Sequence, residues 1–354
     1  MQIEDHLHNR YRVVHKLGHG SYSTTWLAYD GQSNEYVAAK VCTADSGSRE
    51  VNQMVPEILD TFTIRGPNGS YDCYVTTPAR ASLSGVKDGS WMRLFQLDVA
   101  RALAAQLVLA VDYVHAQGIV HGGLHMGNVL LKTTPNFDQL SIDQLYEKYG
   151  APELDPVVHL DSKPLPPSVP SHGIAPIRLR NASEDITPAR FEPNQPLSFS
   201  SDIWTLACTI WTIIAQQPLF EEFLASEDDI TCEHVDTLGV LPPEWWRRWD
   251  ARRHKFTEDG RPINHNSFRS QRDRFEDSVE QPRRDSGLPS FDAKERNAIF
   301  DMLRLMLSFR PEDRSTTKQI LDSEWMVKWG FSGTKRDPHL RKFGRSPRTW
   351  HGDG

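Results

Sequence analysis

Between Tyr11 and about Thr77, apolar and polar residues alternate in short runs bounded by Gly, Asn or Asp. YRVVHKLG, STTWLAYD and EYVAAKVC are rich in β-branched and aromatic residues, which suit a pleated, half-buried surface, so each is predicted to be a strand of an antiparallel meander. A further pair, TFTIRGPNGSYDCYVTT, alternates around Pro67-Asn68-Gly69, where Asn and Gly tolerate the positive φ of a tight turn. The period then changes. From Leu94 to Gln117 the apolar positions Leu97, Ala100, Leu103, Ala104, Leu107, Val108 and Val111 form one stripe of a long helix. Asp138 to Tyr149 reads as a short amphipathic helix. Ser198 to Ala215 opens with cap-type Ser and Asp and is apolar on nearly every face, which predicts a helix at the centre of a helical lobe. Leu241 to Phe256 interleaves Trp245, Trp246 and Trp249 with arginines; tryptophans at helical spacing read as core. Helical patterns over Asp292 to Leu307 and Thr317 to Lys328 follow.

Three stretches break these periods. Pro152 to Pro176 is too rich in proline for regular helix or central strand and is expected to cross the surface. Arg261 to Pro289, polar and mixed in charge, is expected to be a mobile loop, and residues 333–354 a flexible basic tail. The expected fold class is therefore α+β and bilobal. An extension (1–10) precedes an antiparallel-sheet lobe (11–84), and a mainly helical lobe (85–332) carries the Pro-rich crossing (151–176) before the tail.

Composition narrows the classes. With 25% charged and 38% hydrophobic residues in 354, the chain is of ordinary globular type and long enough for two lobes. Its net charge of −7 argues against coating nucleic acid or anionic membrane. Cys42, Cys73, Cys208 and Cys232 are widely spaced, without a zinc-ligand pattern, and read as reduced thiols of an intracellular protein of the cytoplasm or nucleus. The longest apolar stretch, Ile203 to Ala215, falls short of the roughly 20 residues of a membrane span, so no membrane partner is expected, and a monomer is.

Candidate chemistry begins at LGHGSYSTTW, Leu17 to Trp26, where Gly18 and Gly20 let backbone amides approach phosphate oxygens without a Cβ in the way. Lys40, at the end of a predicted strand, adds an ammonium able to pair with nucleotide phosphates. After the long helix, GIVHGGLHMGNVLL reads as an apolar strand, a polar loop with His121, His125 and Asn128, and a second apolar strand. In that order, LGHGSYSTTWLAYD, VAAKV, VHGGLHMGNVLL, SSDIWTLACTIW and LSFRPEDRSTTKQIL resemble the successive signatures of a eukaryotic protein kinase over about Tyr11 to Trp329. Ser23 in the third glycine position, followed by STTWLA, is most similar to the serine/arginine-rich-protein kinase family.

The resemblance implies ATP and magnesium as cofactors and transfer of phosphate to Ser or Thr. It implies that Leu17, Gly18, Gly20 and Ser23 cover ATP, that Lys40 holds its α/β-phosphates, and that Glu50 is the partner of Lys40. It implies Asn128 as a magnesium ligand, Asp202 as the anchor of the catalytic-loop backbone, and Arg314 as the partner of a glutamate ending the activation segment.

The departures are equally specific. The family's catalytic Asp is here Gly123, two residues after His121, and His125 stands where most kinases place a Lys. No D-F-G occurs, roughly 40 residues are absent near Thr187 to Ala189, and Pro56 interrupts the region after Glu50. Arg314 is thus expected to be an orphan charge. Weak or absent phosphoryl transfer is expected; the alternative is a non-catalytic scaffold that holds a basic or Arg/Ser-rich partner through the acidic run Glu221 to Asp229.

Overall fold

The structure is a computed structural model that describes residues 1–20, 22–44, 58–66, 68–133, 136–161, 163–166, 169–175, 197–220, 225–263 and 269–332. Its contacts divide the chain into two units, Met1–Gly85 with Leu130–Asn181, and Val86–Val129 with Ala182–Gly354. One is built on an antiparallel sheet and the other on helices, the α+β class expected.

Along the chain come β1 (His6–Leu7), β2 (Tyr11–Gly20), β3 (Ser23–Asp30), β4 (Glu35–Cys42), β5 (Ile58–Gly66), β6 (Gly69–Thr76) and β7 (Ala79–Ser82). The chain passes through α1 (Leu83–Asp88) and α2 (Leu97–Ala116), then returns to the sheet unit at β8 (Leu130–Lys132), α3 (Ile142–Tyr149), β9 (Leu154–Pro156) and β10 (His172–Ile174).

The main sheet has the order β1-β2-β3-β4-β6-β5. Strands β2 to β4 form the expected meander, and the second hairpin joins it through β6, leaving β5 at the edge. Alternation on β4 sends Val37 and Ala39 into a core with Tyr11, Val13, Trp26, Val75 and Ile174. Tyr36 faces the other way, into a second cluster with Val14, Leu27 and Leu145. Both faces of the sheet are therefore covered within this unit. The Pro-rich crossing contains a short ladder, β9 with β10, and Val157 N donates to Ser171 O at 2.9 Å to close it.

The helical unit is organised by α4 (Phe199–Ile214). Ser198 caps it, its hydroxyl accepting from Ser201 N while Ser201 Oγ accepts from Ser198 N, and this satisfies two of the orphan donors of the first turn. Ile203, Trp204, Leu206, Ile210, Trp211, Ile213 and Ile214 are all buried, and each aliphatic among them contributes roughly 1.5–3 kcal/mol. Helix α2 packs its apolar stripe against α4. The acidic run opens α5 (Glu227–Leu238), where Asp229 bonds Ser226 and pairs with Lys255 at 2.7 Å, and Asp228 accepts from the Trp249 indole at 2.8 Å. Glu221 and Glu222 lie outside the described residues.

The tryptophan segment is two short helices, α6 (Pro243–Arg248) and α7 (Arg252–Lys255), with Trp245, Trp246 and Trp249 buried as the core expected. The expected mobile loop contains α8 (Gln271–Phe275), a π-turn (Glu276–Glu280) and α9 (Gln281–Asp285) in succession. Its composition is misleading because Arg274 and Arg283 are buried whole: Arg274 bonds Leu219 O and Glu233, and Arg283 bonds Phe95 O and Ile214 O with its guanidinium over the Phe291 ring. The remaining helices are α10 (Ala293–Met306), α11 (Thr317–Leu321) and α12 (Glu324–Lys328). Glu295 of α10 is fully buried, bonded by Arg101 and by the Trp325 indole. No helix of the described residues is long and apolar enough to cross a membrane. The tail, 333–354, lies outside the described residues.

Candidate functional site

In the sheet unit, the glycine-bearing hairpin is the end of β2 and the start of β3. Gly18 is paired with Thr25, and Gly20 with Ser23. Thr25 is in turn paired with Lys40 on β4, so the register brings the glycines and Lys40 to one end of three adjacent strands. Nothing lies within 4 Å of where a Cβ on Gly20 would sit. Lys40 is held by a strand bonded on both sides, to β3 and to β6, and its ammonium lies 5.3 Å from the Tyr74 ring centroid. Leu17 packs against the cluster of Val14, Leu27, Tyr36 and Leu145. Ser21 and Glu50 are outside the described residues, so the expected Lys40 to Glu50 pair is as well.

In the helical unit, the loop 121–128 is built on Asp202. Its carboxylate is buried near the N-terminus of α4, where the helix dipole favours negative charge. Oδ2 accepts from His121 N at 2.7 Å, and Oδ1 accepts from Gly122 N at 2.8 Å. Nε2 of His115, in the last turn of α2, is 2.9 Å from Oδ2. Burial pushes the carboxyl upward, but the bonds from His115, Gly122 and His121 outweigh it and hold Asp202 below the usual carboxylate range.

The expected strand before this loop is absent. Ile119 and Val120 belong to no strand, and the backbone after them is fixed by Asp202 instead of by a ladder. Within the loop, Asn128 Nδ2 donates to Gly123 O at 2.8 Å, and Asn128 N donates to His125 O at 2.9 Å. His121 Nδ1 accepts from Gly123 N at 3.3 Å, and His125 Nδ1 from Gly127 N at 3.1 Å. The two imidazoles thus brace the turn they sit on. Gly122 has φ +69°. A Cβ on Gly123 would come no closer than 3.8 Å to any neighbour, that neighbour being Asn128 Nδ2.

The loop offers a metal ion little. It contains no carboxylate, and Asn128 contributes one amide oxygen. Among the described residues no group of three or more His, Cys, Asp or Glu side chains is placed to hold a cation. Magnesium prefers octahedral oxygen ligands that include carboxylate, and this set does not fit it.

Arg314 is not the orphan expected. Its Nε donates to Ser308 O at 2.8 Å, Nη1 to Ser200 O at 2.9 Å and Nη2 to Phe309 O at 3.1 Å, and the guanidinium lies 4.9 Å from the Trp204 ring centroid. Backbone carbonyls, one in α4 and two beyond α10, hold it. Burial pulls its pKa down to about 10, which leaves it charged at neutral pH. His115 escaped the sequence reading, although a histidine in the last turn of a helix running into a catalytic-type loop was the available signal.

No protein-family model matches the chain. A serine/threonine protein kinase of Aspergillus fumigatus is 22% identical over an alignment of 368 residues that covers 92% of this chain and 87% of the relative. The serine/threonine-protein kinase SRPK of Physarum polycephalum is 22% identical over 377, covering 90% and 86%. The protein kinase dsk1 of Schizosaccharomyces pombe is 34% identical over 149 residues, which is 36% of this chain and 27% of the relative.

Proposed function

From a chain that belongs to the protein kinase superfamily, with SR-protein-kinase-like serine/threonine kinases among its homologues, we propose a nucleotide-binding protein whose phosphoryl transfer is weak or absent. Leu17, Gly18, Gly20 and Ser23 cover ATP, Lys40 binds its phosphates, and His121, His125 and Asn128 are the polar side chains of the catalytic loop. The protein acts as a soluble intracellular monomer of the cytoplasm or nucleus.

The observation that carries this reading is Gly123. It stands in the base position of a loop that Asp202 still anchors, with the Asn128 amide turned onto its carbonyl at 2.8 Å. Loss of a general base alone removes about 10²–10⁴ in rate. Phosphoryl transfer depends more on charge neutralisation by metal, and the loop supplies one amide oxygen towards it.

A scaffold that grips a basic or Arg/Ser-rich partner through the acidic run is the second reading. It draws less support, because Asp228 and Asp229 are engaged inside the helical unit.

The test is a thermal-shift titration with ATP, with and without magnesium, on the parent and Lys40→Ala, followed by phosphate transfer to an Arg-Ser peptide. ATP at 100 times its Kd should stabilise the parent by about 2.7 kcal/mol and leave Lys40→Ala unshifted. Robust magnesium-dependent transfer abolished by Lys40→Ala would overturn the inactive part of the reading. No shift in the parent would overturn nucleotide binding.

A further inference from the structure

Strand β2, which ends in the glycine hairpin, is irregular twice. Its register with β3 slips between Val13 and His15 and again between Lys16 and Gly18. A bulge leaves backbone groups unpaired and bends the strand, so the aim of the glycines beyond it depends on what holds the bulges.

Both are held by the excursion 137–174, from opposite faces of the sheet. On the face of Tyr36, Tyr146 of α3 donates its hydroxyl to Val14 O, inside the first bulge, at 2.9 Å. Leu145 packs on Val14, Leu27 and Tyr36, and Leu17, adjoining Gly18, rests on the same cluster. On the other face, Lys16 donates its ammonium to Ile174 O of β10 at 3.2 Å, beside the second slip, and Ile174 lies in the core with Trp26 and Ala39. The excursion is itself fixed to β4: Tyr36 N donates to Asp138 Oδ1 and Tyr36 Oη to Leu140 O, both at 2.9 Å. A capping box at Ser141 makes α3 a rigid support.

We infer that the segment 137–174 is a clamp on β2 that sets the conformation of the glycine hairpin, with Tyr146 as its chief positioning residue for nucleotide binding. The inference rests on the nucleotide-binding reading of Gly18, Gly20 and Lys40. Tyr146 acts through Val14 and the strand that follows, as a supporting shell acts on a site. Sequence and fold converge here, because the chain between β8 and β10 would otherwise be a surface insertion with no reason to bury Leu145 and Ile174.

The experiment uses the full chain and ATP itself, comparing the parent with Tyr146→Phe and with Tyr149→Phe. Tyr149 is on the same helix, 40% exposed, with its ring against Phe137. ATP affinity is measured by calorimetry and amide exchange is followed at residues 16–20 and in β5–β6. Removing one half-buried hydroxyl bond should weaken ATP binding by roughly two- to tenfold and speed exchange at 16–20, with β5–β6 unchanged and Tyr149→Phe matching the parent. Unchanged ATP affinity in Tyr146→Phe overturns the clamp, as does equal acceleration throughout the sheet, which marks general loosening. If the parent binds no ATP, the nucleotide reading alone falls. The clamp is then decided by exchange: faster at 16–20 in Tyr146→Phe supports it, and unchanged exchange overturns it.

Discussion

His234 on α5 should make the helical unit sensitive to mild acid. The side chain is buried, 4% exposed, edge-on to Phe220 at 4.5 Å and to Trp204 at 5.3 Å, and its Nε2 has no hydrogen-bond partner among the described residues. Burial, followed by the charges of Arg274 and Arg314, pushes its pKa down to about 3. A histidine in an unfolded chain titrates near 6.5. The sign follows from proton counting: above pH 6.5 neither state binds the proton, and below it the unfolded state does while the folded state does not, so stability falls as pH drops from 6.5 towards 3. At pH 5 the unfolded state gains a factor of roughly 30, or about 2 kcal/mol. Urea melts at pH 7.5 and pH 5.0, followed by tryptophan emission to which Trp204 contributes, should show that loss in the parent. His234→Gln removes the titrating group, so its loss over the same interval should be smaller by about 2 kcal/mol, whatever its stability at pH 7.5. Parallel pH dependences in the two proteins would refute the reasoning, because they would mean that His234 is protonated in the folded state or never dry.

Three further outcomes are expected. Asp202→Asn leaves an amide nitrogen facing a backbone N–H and should destabilise the helical unit by about 1–3 kcal/mol in denaturant melts, with faster exchange at the amides of His121 and Gly122; an unchanged midpoint would contradict the anchoring role. Gly122→Ala and Gly123→Ala should differ although adjacent. At Gly122 the positive φ costs about 1 kcal/mol and the new methyl meets Leu197 Cδ1 at 2.8 Å, whereas the methyl at Gly123 has room and should leave the melting temperature unchanged or slightly raised. Arg314→Lys keeps the charge but cannot reproduce three bonds from one planar fork, so a loss of about 1–3 kcal/mol is expected in the same melts, and full stability would show that charge alone suffices.

Local periodicity made much of the fold legible. The strands at Ser23–Asp30 and Glu35–Cys42 and the helices at Leu97–Ala116 and Phe199–Ile214 fall where alternation, stripe and cap place them, because one-sided or all-round burial leaves a mark in every residue. What failed were segments whose structure depends on distant partners. Ile119 and Val120 look like a strand, yet a carboxylate some eighty residues later fixes the backbone after them. Residues 271–285 look like solvent-exposed loop because Arg274 and Arg283 are charged, and only the fold reveals that both are buried whole on interior carbonyls and Glu233. Among the site residues, Asp202 accepts from two backbone amides of the loop 121–128. The company of Arg314 was invisible, since backbone carbonyls have no letter in a sequence, and so was the hold of Tyr146 on Val14, which spans 132 positions.

The Asp202 anchor also has a consequence for biosynthesis. Its partner amides lie 80 and 81 positions earlier in the chain. At about 5–20 residues per second, a ribosome delivers the loop 121–128 roughly 4–16 s before the carboxylate that fixes it. Arg101 waits longer still, since Glu295 follows it by 194 positions. A nascent chain that has released α2 therefore has neither counterpart for its polar face nor an order for the loop that follows, and the helical unit can close only once α10 has been made. Chaperone binding on ribosome-stalled chains should accordingly persist until α10 has emerged.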